Sequence, residues 1–198
     1  MGCRTPIRMF RDKFGRSASG AWPLVSSPSD GYSDLPVDIP CGKCIFCRLK
    51  NSMSKAIRIE HESRYWQTAS FLTLTYDDEH LRYSIKGIPT LTRGQKGDMT
   101  LFLKRLRKYL DKIKIKYFQC AEYGENTFRP HHHVILYGFD FSHNRTVINE
   151  RPKLYNSVDL DALWGLGTCY IGTVTWQSAQ YVASYCVKKL IGDDALTT

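Results

Sequence analysis

Apolar and polar positions along the chain fall into segments of different period. Residues 70–76, Ser70-Phe71-Leu72-Thr73-Leu74-Thr75-Tyr76, are mostly β-branched, aromatic or aliphatic and predict a buried strand. Residues 116–122 and 132–137 predict two more strands, with Gly124-Glu125-Asn126-Thr127 turning between them, and residues 169–176 another. Leu103, Leu106, Leu110 and Ile113 recur at i, i+3, i+7 and i+10, the apolar stripe of a helix with Asp98 as its N-cap. Residues 44–65 are compatible with a helix, and residues 178–190 predict a final one. Residues 10–40 are rich in Ser, Gly, Pro and Asp and predict a long loop, and residues 77–97, polar with three glycines, predict a loop or short excursion. The pattern as a whole is α+β, with helices flanking a mainly antiparallel central sheet. Residues 1–66 are expected to form a loop, cysteine cluster and helix packed on a main domain at 67–198, in one compact domain overall.

Composition narrows the class. A chain of 198 residues with 42% hydrophobic and 24% charged residues can bury a core and is not of the disordered kind. The net charge of +9 favours an anionic partner such as nucleic acid, a weak pointer by itself. Lys104, Arg105, Arg107 and Lys108 lie beside the apolar stripe and form either a solvated basic face or a surface for DNA phosphates. No run approaches the ~18 apolar residues of a membrane span. The N-terminus has no secretory apolar region, and Pro6 stands where a myristoylation motif needs Ser or Thr, so a cytoplasmic location is expected.

Three groups of residues carry candidate chemistry. In a strand, His131 and His133 point to one face, about 7 Å apart by rise, and His132 points to the other. Two imidazoles and a carboxylate suit a divalent ion, with Glu122 on the preceding strand as first choice and Glu125 as second; the alternative is an incidental histidine cluster. Tyr181 and Tyr185, at i and i+4 of the last predicted helix, can face one site, although such pairs often serve as core or surface aromatics. Cys41, Cys44 and Cys47, with Cys3 as a fourth thiolate, fit a closed structural zinc site; an iron–sulfur cluster or no metal are the alternatives. Cys120, Cys169 and Cys186 read as packing residues.

The order of Phe71-Leu72-Thr73-Leu74-Thr75-Tyr76, Pro130-His131-His132-His133 and Tyr181-Val182-Ala183-Ser184-Tyr185-Cys186-Val187-Lys188 resembles the three motifs of rolling-circle replication initiators of the HUH endonuclease superfamily (histidine, hydrophobic residue, histidine). Pro40-Cys41-Gly42-Lys43-Cys44 and Glu122-Tyr123-Gly124 look like the microvirus initiators, their gokushovirus branch in particular. The resemblance runs over residues 3–190, nearly the whole chain, and relatives are often longer, so either a complete or a truncated form fits the sequence. It implies a nickase with Mg²⁺ or Mn²⁺ on His131, His133 and Glu122, imidazole tilting the choice toward Mn²⁺. It implies Tyr181 and Tyr185 as nucleophiles that form a 5′-phosphotyrosine, leave a 3′-OH primer and later rejoin the strand, with Lys188 or Lys189 steadying the charge. Single-stranded origin DNA, a host helicase and polymerase, and the cytoplasm of a host bacterium follow as partners and location. His132 departs from the usual hydrophobic middle residue; Pro130 and the strand alternation favour His131 and His133 as ligands, whereas a one-residue slip would bring in His132. The rival readings are a transposase or plasmid initiator of the same superfamily, and a non-catalytic zinc-containing nucleic-acid-binding protein.

Overall fold

The computed structural model describes residues 2–91, 97–124 and 126–185, with Tyr185 as backbone only. The chain divides into two compact units, residues 1–51 and 52–198. In the first, β1 (Ile7–Asp12) lies between β2 (Leu24–Val25) and β3 (Gly31–Ile39), both antiparallel to it. This small sheet replaces the long loop expected over residues 10–40. The signal was absent because β3 buries almost nothing and so carries no apolar alternation. Pro36 is tolerated there because β3 is an edge strand. A Cβ on Gly31 would collide with Phe10, the one buried hydrophobic side chain among the described residues of this unit.

Helix α1 (Ile45–Ser63) begins in the first unit and ends in the second. There follow β4 (Ala69–Thr75), a 3₁₀ turn at Asp78–His80, and the short pair β5 (Arg82–Tyr83) and β6 (Pro89–Thr90). Then come α2 (Asp98–Leu110), β7 (Lys116–Tyr123), β8 (Pro130–Tyr137), β9 (Arg145–Glu150), β10 (Lys153–Ser157), α3 (Val158–Trp164), β11 (Cys169–Thr173) and α4 (Trp176–Tyr185). Six strands form one sheet in the order β7-β8-β4-β11-β10-β9, and every neighbouring pair is antiparallel. The expected α+β architecture, a central antiparallel sheet flanked by helices, is the one observed.

The period-two alternation of the central strands sorts residues onto two faces. Leu72, Leu74, Val134, Leu136 and Ile171 face α2 and α3, which bring Phe102, Leu106, Leu160 and Trp164. Phe71, Ile135, Tyr137 and Cys120 face α1 and α4, which bring Ile59, Ala179, Val182 and Ala183. Full burial of each large apolar side chain contributes about 1.5–3 kcal/mol, so both helical layers are held by the same sheet. Cys120 and Cys169 are buried packing residues as expected, and Cys186 lies outside the described residues.

Several local expectations are corrected. Leu103, Leu106 and Leu110 are buried, but α2 ends at Leu110 because Asp111 turns to a φ of 49°, leaving Ile113 exposed. Asp98 is not the N-cap: Gly97 holds that position without a side-chain bond, and the Asp98 carboxylate is drawn instead to the Tyr76 hydroxyl and Arg82. The final helix starts at Trp176, inside the segment read as strand. Thr175 and Ser178 bond reciprocally to each other's backbone N–H and stop the strand there. Strands β9 and β10 and helix α3 had no counterpart in the sequence pattern. β9 is an edge strand with Val147 and Ile148 both exposed, and α3 is only seven residues, set by the Ser157 cap and left-handed Gly165. Residues 186–190 of the expected helix lie outside the described residues. Among the described residues no helix is long and apolar enough to cross a membrane.

Candidate active site

Strands β7 and β8 are joined by a hairpin in which the Gly124 N–H donates to the Arg129 carbonyl and the Phe128 N–H to the Gly124 carbonyl. That closure sets the register Glu122↔His131. Alternation then places Glu122, His131 and His133 on the α1/α4 face and turns His132 to the other. Glu122 Oε1 lies 2.5 Å from His131 Nε2 and 3.1 Å from His133 Nε2. One ligand atom from each of the three residues falls within 4.8 Å of the others.

The hydrogen bonding around His131 tests whether these residues fit a metal. His131 Nδ1 sits 3.2 Å from the Arg129 carbonyl, which only accepts, so Nδ1 carries the ring proton. In a neutral ring Nε2 then presents a lone pair, and it faces a second acceptor, the Glu122 oxygen. A metal ion between that lone pair and the carboxylate would satisfy both, and an Nδ1–H held by a backbone carbonyl is the usual outer contact of a metal-binding histidine. His133 is fixed similarly: its Nδ1 is 3.1 Å from Thr73 Oγ1, and its ring stacks on Phe71 with centroids 5.4 Å apart. Burial lowers the His133 pKa and outweighs the attraction of Glu122, so the ring stays neutral with a lone pair to offer. The set fits a divalent ion.

Helix α4 lies over the same face. The Tyr181 ring meets His133 edge-on at 5.2 Å between centroids and Phe71 at 6.3 Å, while 43% of the residue remains exposed. Tyr181 therefore packs against one member of the cluster, His133, and reaches solvent. Tyr185 follows one turn later in α4, with its side chain outside the described residues, as are Glu125, Lys188 and Lys189.

On the reverse face, His132 is buried in the core. The Tyr76 hydroxyl donates to Asp98 Oδ2 at 3.0 Å, so His132 Nε2–H donates to the Tyr76 oxygen at 3.1 Å, and Arg82 closes the chain on Asp98 at 3.1 Å. His132 Nδ1 is buried with no hydrogen-bond partner. Burial drives the His132 pKa down to about 4, so it is neutral at pH 7.

Helix α2 packs on this reverse face, away from the Glu122–His131–His133 cluster. The Arg105 guanidinium donates to the Leu163 and Trp164 carbonyls at 2.6 and 2.8 Å, closing the C-terminus of α3. Arg107 lies over the Tyr117 ring, and Lys104 and Lys108 are exposed. Two contributors escaped the sequence reading. Thr73 stands opposite His133 in the β4–β8 register, which strand alternation could have revealed. Arg129 donates to Asp78 Oδ1 at 2.5 Å and to the Tyr76 carbonyl at 2.8 Å, tying the start of β8 to the end of β4; nothing in the local sequence announces that contact. In the first unit, Cys3, Cys41, Cys44 and Cys47 come together in a second cluster that could hold a metal.

Fold and site together define an α+β protein with a cluster of two histidines and a glutamate that could hold a metal, beside a tyrosine-bearing helix. The family model described as Replication-associated protein ORF2/G2P matches residues 69–190, and the chain belongs to that family. It is 42% identical to the Replication-associated protein VP4 of Bdellovibrio phage phiMH2K, over 96% of this chain and 59% of that protein. It is 35% identical to the Replication-associated protein ORF2 of Spiroplasma virus 4, over 77% and 48%. Against the Replication-associated protein ORF4 of Chlamydia phage 1 it is 31% identical, over 82% and 42%. The chain thus spans about half the length of the curated relatives it matches. No solved structure matches it.

Proposed function

We propose that this chain carries the strand-nicking core of a rolling-circle replication initiator, of the HUH type and gokushovirus-like. The observation that carries the reading is the convergence of Glu122, His131 and His133 with the Tyr181 ring packed edge-on against His133. Glu122, His131 and His133 would hold Mg²⁺ or Mn²⁺, which supplies Lewis acidity toward a phosphate oxygen when bound. The tyrosines do the covalent work. A tyrosine hydroxyl attacks the phosphorus of single-stranded origin DNA in line; the new bond joins the phenolic oxygen to phosphorus, and the bond from phosphorus to the 3′ oxygen breaks. The phenol gives up its proton and the departing 3′ oxygen gains one, leaving a 5′-phosphotyrosine and a free 3′-OH. The phosphodiester is conserved in the adduct, so attack by a 3′-OH rejoins the strand.

A phenol with a pKa near 10 is a poor nucleophile at neutral pH. Lys188 or Lys189 lowers that cost by neutralising the developing phenolate and phosphate charge. Tyr181 and Tyr185 alternate, one holding a 5′ end while the other cuts. Residues 67–198 form the nickase core and residues 1–66 its cysteine-bearing appendage. Lys104, Arg107 and Lys108 contact DNA away from the scissile phosphate, because α2 lies on the opposite face of the sheet from the ligand set. The 3′-OH serves a host polymerase, with a host helicase opening the duplex, in the cytoplasm of a bacterium.

The test is adduct formation on a denaturing gel, with single-stranded origin DNA and Mn²⁺. Wild type should form a metal-dependent covalent protein–DNA species. The Tyr181→Phe/Tyr185→Phe double variant should form none, and the single variants should rank the two nucleophiles. An adduct that survives in the double variant, or no adduct with the wild type, overturns the reading.

A further inference from the structure

We infer that Cys3, Cys41, Cys44 and Cys47 bind one zinc ion, and that residues 1–51 fold only when it is bound. This goes beyond the nicking reading and does not depend on it. The family match begins at residue 69, after all four cysteines.

The thiols are already placed for a single ion. All four sulfurs lie within 4.8 Å of one another, with Cys44–Cys3 at 3.8 Å and Cys41–Cys47 at 4.0 Å. A zinc–sulfur bond of about 2.3 Å gives a tetrahedron with edges of about 3.8 Å. Sulfurs so close surround one ion; a polynuclear iron–sulfur cluster would hold them farther apart. Donors also aim at the sulfurs. The Cys41 N–H reaches Cys3 Sγ at 3.3 Å, the Cys44 N–H reaches Cys41 Sγ at 3.3 Å, and the Thr5 hydroxyl reaches Cys41 Sγ at 3.4 Å. Such bonds favour thiolates, the form that zinc takes. A thiolate-only set selects soft or borderline ions over Mg²⁺ and Mn²⁺, so this cluster and the Glu122–His131–His133 set are chemically distinct.

The folding claim rests on what else could hold this unit together. Phe10 is its one buried hydrophobic side chain among the described residues, and β3 is exposed along most of its length. Units of this size need a metal, disulfides or a partner in place of a core. The four cysteines sit where a cross-link acts on the whole sheet. Cys3 precedes β1, Cys41 follows β3, and Ile7 pairs with Ile39 at the strand ends beside them. Cys47 lies in the first turn of α1. One ion therefore joins the start of β1 and the end of β3, which lie side by side at one end of the sheet, to the start of the helix.

The experiment uses the full chain without DNA. Elemental analysis of the purified protein should give one zinc per chain. Stripping it with a thiol reagent and chelator, then restoring reduced thiols, should speed tryptic cleavage within residues 1–51 by roughly tenfold or more, while fragments covering residues 52–198 stay resistant. Zinc should restore protection, and Mg²⁺ or Mn²⁺ should not. Cobalt substitution should give thiolate-to-metal absorption that weakens in both Cys44→Ser and Cys44→His, while the imidazole of Cys44→His should keep the ion bound more tightly than Cys44→Ser does and shift the visible d–d bands. Bound iron in place of zinc, no bound metal, or an unchanged cleavage rate after stripping overturns the inference. Failure of adduct formation in the nicking assay leaves it untouched.

Discussion

Replacing His132 with leucine should remove a defined share of the chain's acid sensitivity. His132 is 7% exposed, with the Tyr76 and Trp164 rings at 6.0 and 5.7 Å between centroids. Burial lowers its pKa to about 4, against a weaker opposite pull from the Asp98 charge. In the unfolded chain the same imidazole titrates near 6.5. Between those values the unfolded state binds more protons than the folded one, so the sign is fixed. The contribution is fully present above about pH 6.5 and is lost as the pH falls toward 4. With these two values the loss between pH 7 and pH 5 is about 2 kcal/mol. The assay is urea unfolding of wild type and His132→Leu at both pH values. Every other ionisable group is common to both proteins, and the lost bond to Tyr76 affects both pH values alike, so the double difference isolates His132. The wild type should lose about 2 kcal/mol more than the variant over this interval. An equal loss in the two proteins would refute the claim that burial holds this imidazole neutral.

Mn²⁺ at 100 times its dissociation constant should raise the unfolding free energy by about 2.7 kcal/mol. Glu122→Ala should abolish most of that gain, and an equal gain in the variant would put the ion elsewhere. Arg105→Met removes two charge-assisted bonds to the α3 carbonyls and should cost about 1–3 kcal/mol in urea unfolding. The salt dependence of its binding to single-stranded DNA should not change; a slope shallower by about one would mean a phosphate contact instead. Phe128 holds a φ of 53° with 52% of the residue exposed. Phe128→Gly should relieve about 1–2 kcal/mol of left-handed strain and give back about 0.5–1 in chain entropy, a net gain visible in the urea midpoint. Destabilisation would show that the ring packs more than its exposure implies.

The parts of the fold legible in the sequence were those whose burial imposes an apolar or alternating pattern. β4, β7 and β8 carry apolar or alternating runs because two helical layers cover them, and their pairing follows from the short hairpin between β7 and β8. β3 and β9 left no such trace, because a strand with almost no buried face has no reason to alternate, and the five residues of β10 are too few and too polar to show one although Ser157 is buried and Tyr155 packs on the core. Turn chemistry misled at two boundaries. Asp98 looks like a cap, yet a distant tyrosine and arginine capture its carboxylate. Thr175 looks like strand, yet it pairs with Ser178 to open α4. At the site, the convergence of Glu122 with His131 and His133 could be read from alternation plus one hairpin, whereas the Arg129 clamp joins residues 51 and 53 positions apart and could not.

The same alternation explains why the histidine triplet can be a site at all. Each residue of β8 from His132 to Leu136 that faces α2 and α3 is buried, so the strand is anchored on that layer and a one-residue slide would pull Val134 and Leu136 out of their packing with α2 and α3. A shift by one residue would exchange His132 with its neighbours. It would place His131 and His133 against Trp164 and Leu74, and would also break the Thr73–His133 and Glu122–His131 contacts. The orphaned Nδ1 of His132 is thus tolerated within a register that the apolar residues enforce. A leucine there would keep the register and lose only the bond to Tyr76, whose hydroxyl still donates to Asp98. The geometry of Glu122, His131 and His133 on the α1/α4 face is set in part by packing on the α2/α3 face, and a change in the core beneath β8 should reach these three residues before a change in α2's basic surface does.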